Sequence, residues 1–112
     1  MTIRNKVKMG QVLRMKYAGS QNDPNTTIVY MATLPHKNGH QIVSGFNLNY
    51  LETLQKQQAI ISIIRQFSDP QIAYTAVKNY YPDYLNSYRT YVENRITSAS
   101  ILDTSTAKLK KV

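Results

Sequence analysis

Hydrophobic and polar positions alternate in the first half of the chain and recur at helical spacing in the second. From Gln11 the pattern is period-two: Leu13, Met15 and Tyr17 on one side, Val12, Arg14 and Lys16 on the other, which predicts a strand. Residues 18–25 read as a loop from their Gly, Ser, Asn, Asp and Pro content. Thr26 to Leu34 is β-branched and aromatic, predicting a second strand with Ile28, Tyr30, Ala32 and Leu34 on one face and Pro35 ending it. Asn38-Gly39 suits the positive φ angles of a tight turn, and Gln41 to Phe46 returns as a third strand. Three successive antiparallel strands predict a curled meander, the start of a small SH3-like or OB-like barrel.

The regime changes at Asn47-Leu48-Asn49-Tyr50. Asn49 with Glu52 three residues later has capping-box spacing, so a helix is expected from there. Its inner stripe would be Leu51, Leu54, Gln58, Ile61 and Ile64, joined by Ile60, Ile63 and Phe67. Asp69 and Pro70 predict the N-cap and first residue of a second helix, Gln71 to about Asn79. That helix would bury Ile72, Ala73, Ala76, Val77 and Tyr80. After the Tyr81-Pro82-Asp83 break, a third helix is expected to about Glu93, with Leu85, Tyr88 and Tyr91 or Val92 inside. Residues 96–103 are rich in β-branched residues and Ser, and predict a last strand returning to the sheet.

The expected architecture is therefore α+β. A small curled antiparallel SH3-like sheet carries a three-helix insertion over residues 50–95, within one domain spanning 1–112. At 112 residues there is room for one core only. No apolar run approaches the roughly 20 residues that span a bilayer, so no membrane partner is expected, and no apolar segment follows the basic N-terminus as a signal peptide requires.

Composition adds three features. Cys is absent, which excludes disulfides, thiolate metal sites and Cys nucleophiles. Nine tyrosines and no Trp supply apolar area with a polar tip, suited to half-buried surfaces and interfaces. The net charge of +8 favours anionic partners, and its distribution matters more than its sum. Arg4, Lys6, Lys8, Arg14 and Lys16 fall in the first sixteen residues with no acid among them, and Lys108, Lys110 and Lys111 sit in the 104–112 tail. Arg4, Lys6 and Lys8 share a face if the 1–10 arm is extended. Such an arm could track a phosphate backbone, add as a strand to a neighbouring subunit, or simply be solvated.

Candidate chemistry is sparse. His36 and His40 flank the Asn-Gly turn with no acid or Cys beside them, so turn residues explain them better than metal ligands. Asp69 and Asp83 sit next to prolines at helix boundaries, where capping accounts for them. The four glycines are isolated and make no phosphate loop. Tyr88-Arg89-Thr90-Tyr91 with Arg95 invites a DNA-cleaving tyrosine, but helix packing explains the tyrosines better, with the arginines binding carbonyls, partner acids or phosphates. The expectation is a protein that is not an enzyme, with no cofactor and no small-molecule substrate.

One segment carries a resemblance. Ile28-Val29-Tyr30-Met31, a short hairpin, then Gly45-Phe46-Asn47-Leu48-Asn49-Tyr50-Leu51, with Tyr88-Arg89-Thr90-Tyr91 and Arg95-Ile96 later, is similar to a pattern in virion-assembly proteins of myophages. Those of the DNA end protector or head-completion kind have a segment close to Gly-Leu-Asn-Leu-His-Tyr-Leu, from which this chain departs at Phe46 and Asn49. The resemblance implies a structural subunit of a tailed-phage virion, in neck, tail or baseplate, with other virion proteins as partners, onto which its sheet edge, tyrosine surface and basic termini would dock. The alternative is a nucleic-acid-binding protein at packaged DNA ends. The residues expected to meet a partner or DNA are Arg4, Lys6, Lys8, Arg14, Lys16, Arg89, Arg95, Lys108, Lys110 and Lys111.

Overall fold

The computed structural model describes residues 7–18, 25–35 and 39–102. It is an α+β fold with one five-stranded antiparallel sheet: β1 Val12–Tyr17, β2 Asn25–Pro35, β3 Gln41–Asn47, β4 Tyr88–Val92 and β5 Ile96–Leu102, in the order β4-β3-β2-β1-β5. Two helices, α1 Leu54–Arg65 and α2 Pro70–Tyr80, are inserted between β3 and β4. The expected last strand is present, as is the N-cap at Asp69, whose side chain accepts hydrogen bonds from the N–H groups of Gln71 and Ile72.

The connection between β4 and β5 forces the sheet to coil. These are the two edge strands, four inter-strand spacings apart in the ladder, or about 19 Å if the sheet were flat. Only the 3₁₀ turn Glu93–Arg95 joins them, and three residues of 3₁₀ helix rise about 6 Å. The bend lies in β2, which pairs with β1 over Asn25–Val29 and with β3 over Ile28–Pro35. Its register shifts between Tyr30 and Ala32, leaving Met31 as an extra residue, and a bulge of this kind kinks a strand and raises its twist. The two halves close over Leu13, Met15, Ile28, Tyr30, Val43, Tyr91 and Ile96. Tyr17 spans the remaining gap: its ring meets Tyr91 edge-on at 5.2 Å, and its hydroxyl accepts from the Val92 N–H at 3.1 Å. Among the described residues no ladder joins β4 to β5, so the sheet is coiled but not closed.

The outer face of the sheet buries Val12, Val29, Met31 and Phe46 against Ile60, Ile61, Ile64, Ala73 and Val77 of the helices. Two cores, one inside the curl and one under the helices, therefore share β2. This explains the continuous burial from Thr26 to Met31.

Several expectations are corrected. The bulge at Met31 shifts the side-chain phase of β2, so Thr33 turns inward and bonds to the Tyr30 hydroxyl, while Leu34 is 51% exposed. The N-cap of α1 is Thr53, which accepts from the Lys56 N–H; Asn49 instead accepts from the Thr27 N–H. The buried glutamine is Gln57, not Gln58, and its amide donates to the carbonyls of Leu48 and Leu51.

The expected third helix is absent. Pro82–Ser87 is a 3₁₀ helix and Tyr88–Val92 is strand β4, paired with β3 from Phe46↔Tyr88 to Ile42↔Val92. The insertion thus holds two α-helices, not three. The Tyr-Arg-Thr-Tyr-Val run has the β-branched and aromatic content of a strand. On α2, Ile72 and Tyr80 face outward, because the sheet reaches only the stripe carrying Ala73 and Val77.

Candidate functional site

The segment Gly45–Leu51 joins the sheet to the helices. Phe46 packs edge-on against Tyr88 at 5.2 Å, and Leu48 and Leu51 enter the core beneath α1 and α2. Asn47 accepts from the Asn49 N–H at 2.8 Å, capping the 3₁₀ turn Leu48–Tyr50, and donates to the Tyr91 hydroxyl at 3.0 Å. These are structural roles. The segment's exposed residue is Tyr50, whose ring lies 4.4 Å beneath the Arg89 guanidinium.

Tyr50 opens onto a surface cleft. Tyr50, Tyr80, Tyr81 and Tyr84 line a cleft of about 470 Å³ whose rim carries Glu52, Lys56 and Asp83. Tyr80 and Tyr81 also border an apolar groove between α1 and α2, with Ile63, Phe67, Ile72 and Ala76. Tyr50 is 57% exposed, Ile72 59% and Tyr80 76%, so large apolar side chains cluster in solvent instead of being scattered singly. Tyrosine gives wide contact area at the cost of two side-chain torsions, and it is enriched at binding hot spots together with arginine.

The other tyrosines are spent inside. Tyr30 and Tyr91 fill the curl, and Tyr74 and Tyr88 stack edge-on at 5.0 Å between helix and sheet. Burial pushes the Tyr91 phenol up to about 12, against the opposing pull of the Asn47 hydrogen bond. That shift disfavours the phenolate and is the reverse of nucleophile activation. Tyr88 and Tyr91 moreover belong to different cores, since they lie on opposite faces of β4.

The sequence-derived basic residues are only partly brought together. Arg4, Lys6, Lys108, Lys110 and Lys111 lie outside the described residues. Lys8 is exposed in the turn leading to β1. Arg89 is on β4, where it donates to the Asn86 and Tyr88 carbonyls at 2.7 Å each. Arg95 is exposed on the turn between β4 and β5, where its carbonyl accepts from the Ala18 N–H. Arg14 and Lys16 share the outer face of β1 and line a hollow with Ser98 and Ser100 of β5. His36 lies outside the described residues, and the His40 ring Nδ1 is 3.3 Å from the Asn94 amide. Among the described residues no three His, Cys, Asp or Glu side chains group as a metal site.

Sequence reasoning expected a tyrosine surface without identifying its members, and it missed the two serines. The nine tyrosines were a visible signal, but helical periodicity assigned Tyr80 and Ile72 to the interior. No family model matches the chain, and no curated protein or solved structure is significantly similar to it.

Proposed function

We propose that the chain is a structural subunit of a tailed-phage virion, in the neck, tail or baseplate, which docks onto neighbouring virion proteins. The observation that carries the docking role is the solvent-facing cluster of Tyr50, Ile72, Tyr80 and Tyr81. The virion assignment rests on the resemblance of Gly45–Leu51. The outer edge of β5 adds to this reading. Its sequence, Ile-Thr-Ser-Ala-Ser-Ile-Leu, contains none of the Lys or Pro residues that blunt sheet edges, so it suits pairing with a neighbour's strand. The strand order, with its last two strands joined by a single 3₁₀ turn, supports describing the sheet as SH3-like with helices inserted after the third strand.

Mass spectrometry of purified virions tests the proposal. The chain should be present at a copy number matching a closed ring, and Tyr80→Ser should lower its incorporation without unfolding it. Absence from intact particles would remove the reading.

A second reading, a protein that holds packaged DNA ends, is favoured by the Arg14–Lys16 strip. It requires binding to duplex DNA that weakens steeply between about 50 and 200 mM salt.

A further inference from the structure

We propose that Arg14, Lys16, Ser98 and Ser100 form a binding site for a phosphate group on the outer face of the β1–β5 pair. The register makes the arrangement. Arg14 lies opposite Ser100, and Lys16 lies opposite Ser98, so all four side chains project from the same face of the ladder. Alternate residues on a strand are about 7 Å apart and paired strands about 5 Å, so the four stand at the corners of a small rectangle. Met15 and Ala99, paired between the two rows, complete the lining of the hollow.

Three observations fit an oxyanion. Among the described residues, two cations and two hydroxyls line the hollow and no acid does, so the lining offers Arg14 and Lys16 no counter-charge. The Arg14 Nε atom is buried and has no hydrogen-bond acceptor among the described residues, although a buried guanidinium N–H ordinarily has one. The hollow measures about 150 Å³, the liquid volume of about five waters. That admits a phosphate group. Two cations and two hydroxyls converging from both strands also match the several oxygens of a phosphate better than the two of a carboxylate.

The phosphate could be a unit of a nucleic-acid backbone or a free ion. In the first case the inference rests on the DNA reading above; in the second it stands apart from it. The intact chain titrated with inorganic phosphate, followed by ¹H–¹⁵N NMR, tests the site itself. The Arg14 Nε–H resonance and the Ser98 and Ser100 amides should shift together and saturate. Lys16→Gln, an exposed change that leaves the core alone, should weaken binding about tenfold or more, as should Arg14→Gln where it folds. Lys78→Gln, on α2, should leave binding unchanged.

The second arm is duplex DNA in fluorescence anisotropy. If the phosphate is DNA's, Lys16→Gln lowers the affinity and reduces the slope of log K against log salt by about 0.9, the value of one lost contact. If inorganic phosphate binds at the four residues while DNA affinity is untouched by Lys16→Gln, the site stands and its ligand is a free phosphate. If DNA binds and neither Lys16→Gln nor Arg14→Gln alters its affinity or salt slope, and phosphate leaves the four residues unmoved, the proposal is overturned while the DNA reading survives. Silence in both arms overturns both.

Discussion

Gly45 should be harder to replace than Gly39, the glycine of the Asn-Gly turn. An alanine Cβ at Gly45 would stand 2.5 Å from the Val29 carbonyl oxygen and 2.9 Å from the Ile28 Cδ1. Ordinary carbon–oxygen contacts of this kind fall at about 3.3–3.6 Å, so β2 and β3 would have to part by nearly an ångström. They cannot do so cheaply, because Gly45 is held between Tyr30 on β2 and Arg89 on β4, next to the bulge that bends the sheet. Overpacking usually costs 1–3 kcal/mol, and a clash with backbone belongs at the upper end, so about 3 kcal/mol is expected. At about 4 °C per kcal/mol for a domain of this size, Gly45→Ala should lower Tm by about 12 °C. Gly39 provides the contrast. Its φ is +75° but nothing lies within 4 Å of its missing Cβ, so Gly39→Ala pays only left-handed strain, about 1 kcal/mol or about 4 °C. Thermal unfolding followed by circular dichroism measures both. A Gly45→Ala variant that melts with the parent, or above Gly39→Ala, would refute the account of how β2 and β3 meet.

Three further outcomes are expected. Because the Tyr91 phenol rises to about 12 in the fold and titrates near 10 in the unfolded chain, its contribution is intact below pH 10. About 3 kcal/mol is then lost as pH climbs from 10 through 12, and urea titrations at alkaline pH should show this for the parent and not for Tyr91→Phe. Gln57→Leu keeps the volume but removes the donor that serves the Leu51 carbonyl, and should cost about 2 kcal/mol in the same assay; a variant as stable as the parent would deny Gln57 its role in tying α1 to the sheet junction. Asp69→Ala removes the acceptor of two helix N–H groups and should cost about 1 kcal/mol, whereas Asp69→Asn should restore most of it.

Local rules sufficed wherever one side chain or one short pattern controls the backbone. The faces of β1, the Asp69-Pro70 helix start, the extent of β3 and the final strand all follow from alternation, capping and β-branching within a few residues. The α+β class followed from the sum of those segments. The exposed tyrosine cluster was legible only as a surplus of tyrosine, since composition counts residues without saying which ones the fold leaves outside.

What the tertiary structure decided involves partners distant in sequence. Tyr88–Val92 joins the sheet because β3 offers it an edge forty-odd residues upstream, a long-range pairing that overrides a helical reading of the same side chains. Gly45 belongs to a close approach of two strands, which no turn rule could foresee. Arg14 and Lys16 were visible as charges, but Ser98 and Ser100 reach them only through the register of β1 with β5. The sheet itself stays coiled because a three-residue turn must join its two edges, a constraint that exists only once all five strands are paired.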